Sequence, residues 1–212
     1  MDEDRPGPRW PIWSLAILFV AVEAALIWGA DGAFGIPRLR ATVINFGAFY
    51  PGIVREGVQN FTGQGWAMFL TYGVLHAGLA HLAINILTLF SLAPSVLDRV
   101  GATKFFLLWI GTQIGGGIGS LALGGTWVPV VGASGALFGL AGAIVGWEYT
   151  DRFVSRDRLW PVLRAVLGLL ALNVALWWVL DGRLAWETHL GGFLAGWALA
   201  FVIDPRPRAY DP

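Results

Sequence analysis

Six long apolar runs, separated by polar or charged connections, dominate the chain: residues 12–30, 71–93, 105–123, 134–149, 161–180 and 186–203. About 20 apolar residues at 1.5 Å rise cross roughly 30 Å of hydrocarbon. The pattern therefore predicts an all-α membrane protein, a bundle of six transmembrane helices. The longest connection, 31–70, is neither fully polar nor a clean span. Its Phe46, Phe49, Tyr50, Phe61 and Trp66, scattered among glycines, suit a membrane–water interface. Pro94 is expected to end the second helix, ahead of a charged turn holding Asp98, Arg99 and Lys104.

Residues 1–11 and 204–212 read as polar tails around one six-span domain, 12–203. The start of the chain lacks the purely basic segment of a cleavable signal, so 1–11 reads as a cytoplasmic tail. Six spans place both termini on one side. With that side cytoplasmic, only Arg38, Arg40, Arg55 and Arg183 of the 14 Lys and Arg lie outside, in keeping with the positive-inside rule.

Composition supports the lipid bilayer as the surroundings: 56% of residues are hydrophobic, 13% are charged, and the mean hydropathy is +0.64. Soluble domains average about 25% charged. Net charge is zero and no basic stripe interleaves with aromatics, so no nucleic-acid partner is expected. The absence of cysteine removes disulfides, thiolate metal sites and thiol nucleophiles. No acidic cluster offers a metal cage in the core, so neither a metal nor a cofactor is expected. Nothing in the pattern fixes an oligomeric state.

Serine, histidine and amides remain as reactive groups. Ser134 stands between glycines in Val130-Val131-Gly132-Ala133-Ser134-Gly135-Ala136-Leu137-Phe138-Gly139, at the start of the fourth run. Its hydroxyl serves either a helix–helix hydrogen bond or nucleophilic attack, and the second needs a base within reach. The three histidines are His76, His81 and His189. His189 opens the sixth run, and Gly135, Gly139, Gly192 and Gly196 provide small surfaces on which the fourth and sixth helices could touch. His81 and Asn85, four apart, share a helix face. In the assigned orientation Ser134, His189 and the His81–Asn85 stripe all lie near outer helix ends. Acyl transfer needs donors at the developing oxyanion, and His81, Asn85 and the Ser134 backbone N–H are available. No carboxylate is placed to orient His189, since Glu187 points elsewhere on its helix, so a serine–histidine dyad is expected. Glu23, in mid-span with no cation in its own segment, reads as a structural carboxyl, either protonated or hydrogen-bonded in the interior.

His76-x4-His81-x3-Asn85, Gly132-x-Ser134-Gly135 and His189-x2-Gly192-x3-Gly196, in order on the second, fourth and sixth spans, resemble the rhomboid intramembrane serine proteases. The resemblance covers about residues 12–203. It implies Ser134 as nucleophile, His189 as base and then acid, and His81 and Asn85 as oxyanion donors. It also implies that Phe138 packs on the catalytic imidazole, and His76 is assigned a structural role. Two scaffold features of the family are missing: Trp66 is followed by Ala67 rather than arginine, and Leu97-Asp98-Arg99 holds no glutamate before its arginine.

The expected function is intramembrane cleavage of single-span proteins near the outer face of a bacterial inner membrane. The alternative is a catalytically inactive rhomboid-like chaperone or sorting protein. The fifth span, with no glycine ladder and with Trp177 and Trp178 near its outer end, is expected to move with the 124–132 loop to admit substrate.

Overall fold

A computed structural model describes residues 7–30, 34, 36 and 38–204. The chain is all-α, with α1 Trp10–Ala30, α2 Leu39–Gly47, α3 Pro51–Glu56, α4 Gln64–Thr71, α5 Leu79–Leu123, α6 Ser134–Ser155, α7 Trp160–Val179 and α8 Trp186–Ile203. A 3-10 turn, Tyr72–Val74, follows α4. The connection read as an irregular 31–70 loop thus carries α2, α3 and α4. Arg5, Arg206 and Arg208, used in assigning orientation, lie outside the described residues.

The second apolar run does not start its long helix at residue 71. That helix begins at Leu79, after Gly78 (φ 118°). Nor does Pro94 end it. Helical structure continues to Gly101, where φ 73° and ψ 176° break it, a backbone conformation open essentially to glycine alone. Proline removes one backbone donor, and the surrounding helix absorbs that loss. At Gly101 α5 turns back on itself. Trp13 packs on Phe90 and Trp10 on Phe106, yet in a straight helix these two phenylalanines would stand about 24 Å apart. The two arms therefore lie side by side against α1.

Among the described residues, three helices are long and apolar enough to cross a membrane: Trp10–Gly29 of α1, the doubled α5, and α7. The glycine-rich α6 and α8 form the centre with the second arm of α5. Backbone meets backbone there: a methyl group on Gly192 would overlap the Gly135 carbonyl, one on Gly196 the Gly139 carbonyl, and one on Gly119 the Glu187 carbonyl. The core holds Phe19, Leu89, Phe105, Leu108, Leu137 and Leu140, while Trp28, Trp178 and Val202 are exposed on the outside.

Charge gathers at one end. Asp98 accepts from the Gly7 N–H at 2.6 Å and pairs with Arg9 at 3.0 Å. The neighbouring Arg99 pairs with Asp151 at 2.6 Å and Asp204 at 3.2 Å, and lies over the Trp147 ring. Both ends of the described chain thus meet the Gly101 turn.

Candidate active site

Ser134 is the first residue of α6 and His189 the fourth of α8, and the glycine seam between these helices brings the two side chains together. The Ser134 Oγ is 2.9 Å from His189 Nε2. His189 is 5% exposed, and Phe138 stacks on its ring with centroids 4.2 Å apart and planes 9° from parallel. The Ser134 N–H, at the head of α6, stands where a helix leaves its first donors without internal acceptors.

His81 lies in the first turn of α5 with its ring against Gly132, two residues before Ser134. A Cβ at Gly132 would sit 2.9 Å from His81 Nε2, and glycine is also required by φ 116°. The Ala77 N–H donates to His81 Nδ1 at 3.3 Å. That bond makes Nδ1 an acceptor, so in the neutral ring Nε2 carries the hydrogen, on the side of the ring that meets Gly132. Asn85, buried one turn further along, donates through Nδ2 to the His81 carbonyl at 2.8 Å and retains a second N–H. His76 precedes the helix and packs its ring between Phe19 and His81.

Two partners went unforeseen in the sequence pattern. Asn173, from α7, places Oδ1 2.7 Å from His189 Nδ1. An amide within an apolar run was the available signal, but its distance from His189 in sequence hid the pairing. Glu23, an isolated acid along the chain, pairs with Arg40 at 2.7 Å.

The 124–132 loop is held rather than free. Phe49 and Val130 exchange two backbone hydrogen bonds of 2.9 Å, Gly52 N donates to the Thr126 carbonyl at 2.6 Å, and Gly132 N to the Tyr72 carbonyl at 2.9 Å. Arg55 adds bonds to the Gly124 carbonyl and Thr126 Oγ1. Movement of this loop with the fifth span, as expected from the sequence, would have to break these bonds. By contrast, Val162 is the one buried residue of α7.

Comparison with known proteins identifies the architecture, because a rhomboid domain matches residues 62–206. The chain belongs to the rhomboid family. It is 29% identical over 194 residues to rhomboid protease GluP of Bacillus subtilis, covering 91% of this chain and 36% of that protein. It is 30% identical over 156 residues to the putative rhomboid protease YdcA of the same organism, covering 73% of this chain and 74% of that protein. RHOMBOID-like protein 2 of Arabidopsis thaliana is 34% identical over 146 residues, 68% of this chain and 44% of that protein. The chain thus spans less than half the length of GluP and RHOMBOID-like protein 2. Within the rhomboid match lie α5 to α8 and with them Ser134, His189, His81, Asn85 and Asn173.

Proposed function

We propose that the chain is an intramembrane serine endopeptidase in which Ser134 and His189 form the reacting dyad. The observation that carries this reading is the 2.9 Å contact between Ser134 Oγ and His189 Nε2, at the end of the helices opposite the Arg9, Arg99 and Asp98 cluster. Ser134 Oγ attacks the scissile carbonyl carbon as its proton passes to His189 Nε2. The C–N bond breaks, and the same proton goes to the leaving amine. Water then repeats the sequence to release the acyl group. His81 Nε2–H, the Asn85 amide and the Ser134 N–H stabilise the oxyanion, each donor being worth about 3–4 kcal/mol in a favourable case. Serine, histidine and amides suffice for these steps.

Counting the arms of α5 separately, α1, α5, α6, α7 and α8 make six spans. With both termini cytoplasmic, the site lies near the outer face of a plasma membrane, and kinship to two Bacillus subtilis proteins favours a bacterial one. Substrates are single-span proteins whose helix unwinds near that face, because a helical peptide bond is shielded by its own hydrogen bonds.

Labelling of the purified protein by a fluorophosphonate tests the reading. Ser134 is expected to react, and Ser134→Ala and His189→Ala are each expected to abolish both labelling and cleavage of a transmembrane substrate. An inactive chaperone of the same fold would show neither activity in the parent chain.

A further inference from the structure

Asn173 is a polar side chain in the middle of an apolar, thinly packed helix, and its two hydrogen bonds define the state of its neighbour. We propose that Asn173 is the positioning residue of the site, holding His189 with its proton on Nδ1 so that Nε2 is bare and ready to take the Ser134 proton. This inference rests on reading Ser134 and His189 as the reacting pair.

The amide's orientation follows from its second contact. Asn173 Nδ2 donates to the Leu169 carbonyl, one turn earlier on α7, at 2.9 Å. The nitrogen end is thereby engaged on α7 itself, and the oxygen faces His189 Nδ1 at 2.7 Å. An amide oxygen only accepts, so Nδ1 must be the donor. A neutral imidazole has a single N–H, which leaves Nε2 as the acceptor for Ser134 Oγ. If the proton sat on Nε2 instead, the ring could not serve as the base.

The other contacts of His189 do not make this choice. Phe138 stacks on the ring and fixes its plane, but a stacked face is indifferent to which ring nitrogen is protonated. The Ser134 hydroxyl both donates and accepts, so it too tolerates either tautomer. Asn173 removes the ambiguity. It continues to accept from Nδ1–H after Nε2 has taken the serine proton, so the bond survives through the transfer. A merely structural amide would satisfy itself on Leu169 and leave the chemistry of His189 alone.

The chain's three histidines make the tautomer directly observable by 15N NMR of histidine-labelled protein in micelles, with His189 assigned from the signals lost in His189→Gln. In the parent, His189 is expected to show a protonated Nδ1 and a bare Nε2. In Asn173→Leu that pattern is expected to be lost or mixed, and fluorophosphonate labelling to slow at least about ten-fold, since a well-placed general base supplies roughly 10²–10⁴. For a transmembrane substrate, kcat falls and KM stays. Asn173→Asp keeps an acceptor and is expected to keep the signature, with labelling within a few-fold of the parent.

A parent His189 with bare Nδ1 overturns the inference without any Asn173 variant having to fold. So does an Asn173→Leu protein with parental tautomer and labelling rate, or an Asn173→Asp protein as impaired as Asn173→Leu. Cleavage that persists in Ser134→Ala removes the underlying dyad reading instead, an outcome separate from these.

Discussion

Arg40 lays its guanidinium across the Glu23 carboxylate, with Nη2 2.7 Å from Oε1 and Nη1 3.3 Å from Oε2. Glu23 is 1% exposed, and the same Nη1 reaches the His76 carbonyl at 3.1 Å. One ion pair therefore joins α1, α2 and the segment that delivers His81. Arg40→Ala leaves a buried carboxylate uncompensated and is expected to cost about 3 kcal/mol. The double variant Glu23→Leu, Arg40→Met is expected to recover most of that loss, because two apolar groups replace two charges. Thermal inactivation of probe labelling measures both, and a double variant no better than Arg40→Ala would show that the pair does more than neutralise itself.

In the proposed mechanism His81 and Asn85 act on charge that develops only in the transition state. His81→Ala and Asn85→Ala are therefore expected to lower kcat about ten-fold or more, with KM nearly unchanged. Steady-state cleavage of a transmembrane substrate separates the two constants. A rise in KM alone would reassign that residue to substrate binding.

The seam between α6 and α8 has no room for a methyl group. Gly196→Ala would drive Cβ into the Gly139 carbonyl, and is expected to destabilise by about 1–3 kcal/mol and to separate Ser134 from His189. Gly168→Ala on α7 meets nothing within 4 Å, and a helical alanine is favoured over glycine by about 0.5–1 kcal/mol. Thermal unfolding is expected to move in opposite directions for the two, and labelling to fall only in Gly196→Ala.

Arg99 joins the Gly101 turn to the ends of α6 and α8 through Asp151, Asp204 and the Trp147 face. Arg99→Lys keeps the charge but loses the planar fork and the stacked geometry. It is expected to recover less than half of the stability lost in Arg99→Ala, as read by thermal unfolding. Full recovery by lysine would mean that charge alone matters at this end.

The 124–132 loop is tethered to the segment around α3, whereas α7 buries only Val162, so in the proposed protease α7 is the wall expected to yield to substrate. Trp177 and Trp178 are exposed at the C-terminal end of α7. Trp178→Ala is expected to speed cleavage of a transmembrane substrate while leaving fluorophosphonate labelling of Ser134 unchanged, since the small probe does not need the wall to move. Equal acceleration of both reactions would place the effect in the dyad.

The sequence by itself determined the helical character of the apolar runs, the small-residue seam and the residue types available for chemistry. These properties are local: hydropathy and glycine spacing act within one helix. It also selected Ser134 and His189, because few reactive side chains occur in the apolar segments and each opens its run. The tertiary structure decided what depends on contacts between distant segments. Glu23 was isolated in sequence until α2 brought Arg40 to it. The 124–132 loop looked free because its tethers come from Phe49, Gly52, Arg55 and Tyr72, on a connection whose irregular composition concealed α2 to α4. Pro94 suggested a helix end that in fact came at Gly101, because a missing donor costs a helix one hydrogen bond whereas a positive φ redirects the chain. Asn173 became visible only once α7 lay beside α8, since a hydrogen bond from Nδ1 to an amide oxygen is set by approach in space and leaves no spacing to read along the chain.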